Sequence, residues 1–201
     1  MCGIIGIVGK EAVSDRLVDG LKRMEYRGYD SAGVCTVQEG QLIRRRAEGK
    51  LANLVSVLKS DDAAGDIGIA HTRWATHGAP TTSNAHPHAT GEVALVHNGI
   101  IENFKNLREE LSARGRSGKS PQESVKAVLP QLRGAFALAI AFRSQPDLLI
   151  GARLGSPLVV GYGEGETFLG SDALALAPLT QKIAYLEEGD WVVITRDGAV
   201  I

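Results

Sequence analysis

The sequence predicts an α+β fold in which two β-sheets carry helices on their outer faces. Three observations point there. Glycine is abundant, 24 of 201 residues, about 12% against a usual value of roughly 7%, which implies many tight turns and many short strands. Short apolar or alternating runs dominate the chain, above all after residue 134. Helical periodicity is confined to a few stretches. The hydrophobic fraction of 44% is enough for a real core and argues against intrinsic disorder. A chain of 201 residues is expected to form one domain, spanning 1–201.

The elements follow in order. Residues 3–9 alternate small and branched side chains and read as a buried strand that begins almost at residue 2. Residues 12–24 place Val13, Leu17, Val18, Leu21 and Met24 at helical spacing. A polar, glycine-rich connection covers 26–33. Residues 34–37 and 41–46 read as a hairpin around Glu39-Gly40. A short amphipathic helix spans 51–59, and strands are expected at 67–70 and 93–97. Between those strands 76–91 shows no periodicity, and loops of that length in a compact domain are usually functional or disordered.

Residues 104–114 read as a helix closed by Gly115, followed by a small, polar, flexible stretch at 116–119. Ser120, Pro121 and Glu123 form a capping box with proline at the first helical position, opening a helix to about residue 132. Strands then follow at 134–142, 148–153, 158–162, 167–169, 183–186 and 191–195, with a short helix at 172–177. There is no internal repeat and no low-complexity tract.

Composition excludes several function classes. The 22 Lys+Arg and 23 Asp+Glu leave a formal charge of −1, which is no footprint for nucleic acid or an anionic membrane. The longest apolar run, 135–142, is far shorter than the roughly 20 residues a membrane-spanning helix needs. Met1-Cys2-Gly3-Ile4-Ile5 lacks the basic n-region and cleavage site of a secretory signal. Cys2 and Cys35 are too few for a disulfide framework, so a reducing, cytoplasmic setting is the expectation. Cys35 lies in a predicted strand and reads as a plain core residue.

Five constellations could carry chemistry, and each has a plainer alternative. Removal of Met1 ahead of a small second residue would leave Cys2 at the N-terminus. Its α-amine, with a pKa near 7.7–8, could then serve as the base for its own thiol. Alternatively, Cys2 is simply a small residue opening a strand. Asn98-Gly99 offers a side-chain amide and a backbone N–H suited to a developing oxyanion, yet Asn-Gly between apolar runs is also a strong hairpin signal. Arg73 could clamp a carboxylate with Trp74 shielding the site, or the pair could be a solvated arginine and a core tryptophan. All five histidines fall between His71 and His97, a clustering that suggests a metal. The spacing, however, matches no standard ligand motif, and Pro87 breaks helical presentation, so no metal site is expected. Arg27 sits in a glycine-rich turn that could approach Cys2.

Together these segments resemble the glutaminase domain of the glucosamine-6-phosphate synthases, a branch of the class II glutamine amidotransferases. The matching runs include Met1-Cys2-Gly3-Ile4, Tyr26-Arg27-Gly28-Tyr29-Asp30-Ser31-Ala32-Gly33, His71-Thr72-Arg73-Trp74-Ala75-Thr76-His77-Gly78, Asn84-Ala85-His86-Pro87-His88 and Val96-His97-Asn98-Gly99-Ile100. Later runs match as well: Pro130-Gln131-Leu132-Arg133-Gly134, Gly155-Ser156-Pro157-Leu158-Val159 and Glu187-Glu188-Gly189-Asp190. The resemblance covers nearly the whole chain. It implies an N-terminal-nucleophile hydrolase fold, a four-layer αββα sandwich. It implies hydrolysis of the glutamine side-chain amide through a thioester on Cys2, with Asn98 and the Gly99 backbone as oxyanion hole. Arg73 would hold the substrate carboxylate, and Trp74, Thr76 and His77 would line a pocket under a lid at 73–80. Arg27 would play a supporting part. No cofactor is implied.

The resemblance also implies two departures. The sugar-phosphate isomerase domains of the family, which accept the ammonia, are not in this chain. In addition, the family carries a strand and a Ser-x-Thr-Asp-Thr-Glu motif after the helix ending near Gly115, whereas here the chain runs straight to Pro121. The sandwich is therefore expected to lack one strand–helix segment after residue 115. The aspartate of that motif would bind the α-ammonium of glutamine. Loss of such a partner typically costs about 2–5 kcal/mol, roughly 30-fold to several-thousand-fold in affinity. The competing expectations are a crippled glutaminase-like domain with a binding or assembly role and, on the histidine cluster, a metallohydrolase.

Overall fold

The computed structural model describes residues 2–114 and 118–201. Gly115, the expected helix stop, lies outside the described residues, as do Arg116 and Ser117 of the shortened connection.

The chain opens with β1 (Gly3–Val8) and α1 (Ser14–Lys22), then a 3₁₀ turn at Glu25–Arg27. The hairpin β2 (Ser31–Gln38) and β3 (Gln41–Glu48) follows, with α2 (Leu51–Ser60) and β4 (Ile67–Arg73) after it. Next come the two-residue β5 (His88–Ala89), β6 (Val93–Ile101), α3 (Phe104–Arg114), α4 (Pro121–Val128) and β7 (Gly134–Phe142). The last part supplies β8 (Leu149–Leu154), β9 (Val159–Tyr162), β10 (Thr167–Gly170), α5 (Ala173–Leu176), β11 (Lys182–Tyr185), β12 (Trp191–Thr195) and β13 (Gly198–Val200).

The strands form two antiparallel sheets. The first has the order β11-β9-β10-β1-β4-β2-β3 and the second β13-β12-β8-β7-β6-β5. Their inner faces pack on each other through Ile4, Val8, Ile67 and Ile69 of the first sheet against Ala94, Val96, Ala137, Ala139, Ala141 and Leu149 of the second. In β7 the alanines 137, 139 and 141 face inward, while Phe136, Leu138, Ile140 and Phe142 belong to the outer cluster with α4 residue Val125. Small residues on the inner face and large ones on the outer face let the two sheets approach closely. The outer face of the first sheet packs on α1, α2 and α5 through Leu17, Leu21, Leu51, Leu54 and Leu176. The layers are thus αββα, as expected.

Two differences from the sequence reading have local causes. The helix opened by the Ser120 capping box ends as α4 at Val128 and tightens into a 3₁₀ turn at Leu129–Gln131. Pro130 has no N–H to continue the α-helical ladder. The irregular 76–91 segment contains β5, which pairs His88 with Leu95 on the edge of the second sheet.

Candidate active site

The period-two alternation of strands places the site. On β1, Ile4 and Val8 face the inter-sheet core, so Cys2 shares their face. On β4, Ile67 and Ile69 face it, so His71 and Arg73 follow. On β6, Ala94 and Val96 face it, and Asn98 is next. The register Ile4↔His71 and Gly3↔Thr72 brings the start of β1 against the end of β4. Four polar side chains thereby meet at one end of the apolar sandwich.

Asn98 and Gly99 lie within β6, paired with Ala137 and Phe136 of β7. The hairpin alternative for Asn-Gly is thus overturned: the chain runs on to Ile101 without turning. Gly99 has φ +97, and a Cβ there would overlap the Ala135 carbonyl oxygen. Glycine is required at this position for β7 to approach, not for a turn.

Asn98 Nδ2 donates to the Cys2 carbonyl at 3.2 Å. The Cys2 thiol sulfur accepts from the Trp74 N–H at 3.3 Å. Cys2 is partly exposed, whereas Cys35 is buried in the core, where desolvation pushes its thiol up to about 12. Of the two thiols, only Cys2 meets solvent.

Arg27 donates to the Cys2 carbonyl at 3.5 Å and pairs with Asp172, which caps α5 through the Leu174 N–H. The Tyr26 hydroxyl donates to the same carboxylate at 2.7 Å. Burial alone would raise the Asp172 carboxyl. The hydrogen bonds from Tyr26 and the Leu174 N–H, together with the Arg27 charge, outweigh it and hold the group below the usual carboxylate range. Arg27 therefore ties the start of β1 to the turn after β10.

Arg73 is 8% exposed, not a solvated arginine. Its guanidinium donates to the carbonyls of His77 and Ala79 and lies 3.7 Å from Asp30. Asp30 also accepts from the Ala75 N–H. These bonds curl residues 74–79 into a tight rim beside Cys2. Trp74 is 52% exposed, not a core tryptophan, and lies over Gly28, where a Cβ would strike its ring. Thr76 and His77 are exposed on the same rim. Farther along, Arg46 donates to the carbonyls of Ser83 and Ala85 and fastens the connection to β3.

The histidines form a packed group rather than a ligand set. His71 is fully buried and stacks on His86 with centroids 4.4 Å apart; His88 meets the His86 ring edge-on. Among the described residues no three His, Cys, Asp or Glu side chains are grouped as a metal ion would need. Burial pushes His71 down to about 3 and His97 to about 4, and lowers His86 further, so these rings stay neutral.

A family model for the glutamine amidotransferase domain matches residues 59–190. The chain belongs to that family. Similar curated relatives are the isomerizing glutamine–fructose-6-phosphate aminotransferases of Zymomonas mobilis, 66% identical over 98% of this chain, and of Brucella abortus, 59% identical over 100% of it. The amidotransferase domain spans 36% of the length of either relative. The Brucella alignment runs over 221 positions against 201 residues here, so about 20 aligned positions have no counterpart in this chain. Among solved structures, a glutamine phosphoribosylpyrophosphate amidotransferase from B. subtilis superposes with a TM-score of 0.81 at 24% identity, over 99% of this chain and 48% of that one. A class II glutamine aminotransferase domain protein from Silicibacter pomeroyi gives 0.60 at 14% identity, over 99% and 97%. The fold is the N-terminal-nucleophile hydrolase sandwich of the glutamine amidotransferases.

Sequence reasoning named Cys2, Arg27, Arg73, Asn98 and Gly99, and the structure gathers them. It passed over Asp30, Asp172 and the separate use of His71. The alternation Ile67, Ile69, His71, Arg73 was the available signal, since it put His71 on the same inner face as Arg73.

Proposed function

We propose that this domain hydrolyses the side-chain amide of glutamine and releases ammonia for glucosamine-6-phosphate synthesis. The observation that carries the reading is the meeting of Asn98 Nδ2, Gly99 and Cys2 at one end of the sandwich, 3.2 Å apart for Asn98 and the Cys2 carbonyl. With Met1 removed, the Cys2 α-amine takes the thiol proton and Sγ attacks the amide carbon. The carbonyl oxygen becomes an oxyanion held by Asn98 Nδ2 and the Gly99 N–H. Collapse expels ammonia, which carries off the proton, and leaves a thioester on Sγ. Water then attacks the thioester, releasing glutamate and restoring the thiol.

Arg73 receives the substrate carboxylate through guanidinium donors beyond those given to the loop carbonyls. Trp74, Thr76 and His77 line the rim of the pocket, and residues 73–80 form its lid. Arg27 supports Cys2 through its carbonyl. Sugar-phosphate isomerase domains accept the ammonia, in the cytoplasm. No described helix is long and apolar enough to cross a membrane. The strand and aspartate-bearing segment of the family are absent between residues 115 and 120, in keeping with the unmatched alignment positions.

Intact mass before and after incubation with 6-diazo-5-oxo-norleucine tests this reading. The expected result is a chain lacking Met1 that gains one adduct, mapped to Cys2. A Met1-free chain that general thiol reagents label at Cys2 but the glutamine analogue does not would overturn it.

A further inference from the structure

We propose that His71 is a positioning residue for this reaction, holding the Asn98 carboxamide so that its Nδ2 hydrogens face Cys2. The inference rests on the oxyanion role given to Asn98 above. An asparagine amide has two nearly isosteric ends, one donating and one accepting, and only the donating end can stabilise an oxyanion. Something must decide which end faces the nucleophile.

His71 Nε2 lies 3.0 Å from Asn98 Oδ1 and 3.1 Å from the His97 carbonyl oxygen. A main-chain carbonyl can only accept, so the proton must sit on Nε2. That N–H then selects the oxygen end of the Asn98 amide. The opposite end is left to donate to the Cys2 carbonyl. A flipped amide would set NH₂ against N–H on one side and oxygen against oxygen on the other. Both contacts therefore require the same orientation.

The tautomer is itself enforced. His71 is fully buried, and its Nδ1 has no hydrogen-bond partner. A proton on Nδ1 would be a buried donor without an acceptor, costly in either the neutral or the charged ring. Desolvation keeps the ring uncharged. Behind it, His86 stacks on the His71 ring and accepts the His97 N–H on its Nδ1 at 3.1 Å. The His97 residue, immediately before Asn98, is thus held at its N–H by one ring and at its carbonyl by the other. His71 and His86 together act as a rigid bracket for one asparagine.

Two measurements test this. In ¹⁵N spectra of histidine-labelled protein, His71, assigned by its loss in His71→Gln, should show the neutral Nε2–H tautomer at pH 7. The Nδ1–H tautomer would overturn the proposal, whether or not the chain turns over glutamine. Glutaminase kinetics supply the second. Asn98→Ala is expected to lower kcat by about 100- to 1000-fold; if it does not, the oxyanion reading fails. His71→Leu, which removes the donor, should lower kcat by roughly 10-fold or more with KM within about 2-fold. His71→Gln, which keeps a donor near the Nε2 position, should recover most of that loss. The double variant His71→Leu/Asn98→Ala should be no slower than Asn98→Ala alone. A folded His71→Leu protein with parental kcat, or a double variant whose losses multiply, would refute a role through Asn98.

Discussion

Mild acid should unfold this domain through its histidines before its carboxylates. Burial depresses His71, His86 and His97 in the folded state, whereas an unfolded histidine titrates near 6.5. The unfolded chain therefore binds more protons below that pH, and stability falls as pH falls. Each such histidine contributes fully above about pH 6.5, and its contribution is lost progressively from there down to its folded value. For His71, held at about 3, the loss between neutrality and pH 5 covers about 1.5 pH units. At 1.36 kcal/mol per unit that is about 2 kcal/mol. His97 and His86 act in the same direction. Carboxylates such as Asp172 and Glu166, held below their usual range, do not titrate until lower pH. Urea unfolding at half-unit steps from pH 7.5 to 5 measures the slope. His71→Gln, which has nothing to titrate, should show a slope shallower by about 1.2 kcal/mol per unit between pH 6 and 5. Stability that stays flat over that range, or a variant with the parental slope, would refute the reasoning.

Three further outcomes are expected. Gly99→Ala introduces a Cβ onto the Ala135 carbonyl at positive φ; it should destabilise by at least about 1–2 kcal/mol and abolish glutamine turnover, read by thermal melting and ammonia release. Iodoacetamide at pH 7.5 should modify Cys2 and spare Cys35 until the protein is denatured, because burial holds the Cys35 thiol at about 12; peptide mapping decides. Asp172→Asn removes the negative charge that pairs with Arg27 and should cost about 1–3 kcal/mol at pH 7. The parental advantage should vanish as acid protonates Asp172, and equal urea midpoints at pH 7 would sink this account.

Much of the fold was legible because strand alternation and helix caps are local. The run 134–142 alternates alanine with large residues, and the structure uses that alternation to separate inner from outer face. Ser120, Pro121 and Glu123 announced α4, and the capping box forms. Asn98-Gly99 misled as a hairpin because its turn chemistry is indistinguishable, along the sequence, from a strand glycine that must admit a neighbour. That neighbour, Ala135, lies in a strand 36 positions on, and nothing local reports its approach. The reactive residues were legible as motifs, but not their couplings. His71 and His86 meet only because β4 and the 76–91 connection pass the same end of the sandwich. Asp30 read as part of a glycine-rich connection and Asp172 as the start of a short helix, and their work is done across 45 and 145 positions.

Cys2 precedes a strand of one sheet, and Asn98 belongs to a strand of the other. The bond between them, and the bonds from His71 to Asn98 and to the His97 carbonyl, cross from layer to layer. Away from this end the layers meet through aliphatic contacts and, at the far end, through Arg196, which follows β12, donates to the Gly9 carbonyl and pairs with Asp66. The reacting groups are therefore also among the rivets that fix the alignment of the two plates. Any sliding of one sheet over the other changes the distance from nucleophile to oxyanion donor directly, with no lever between. A substitution deep in the alanine-lined seam can then act as a catalytic lesion while touching no residue of the site.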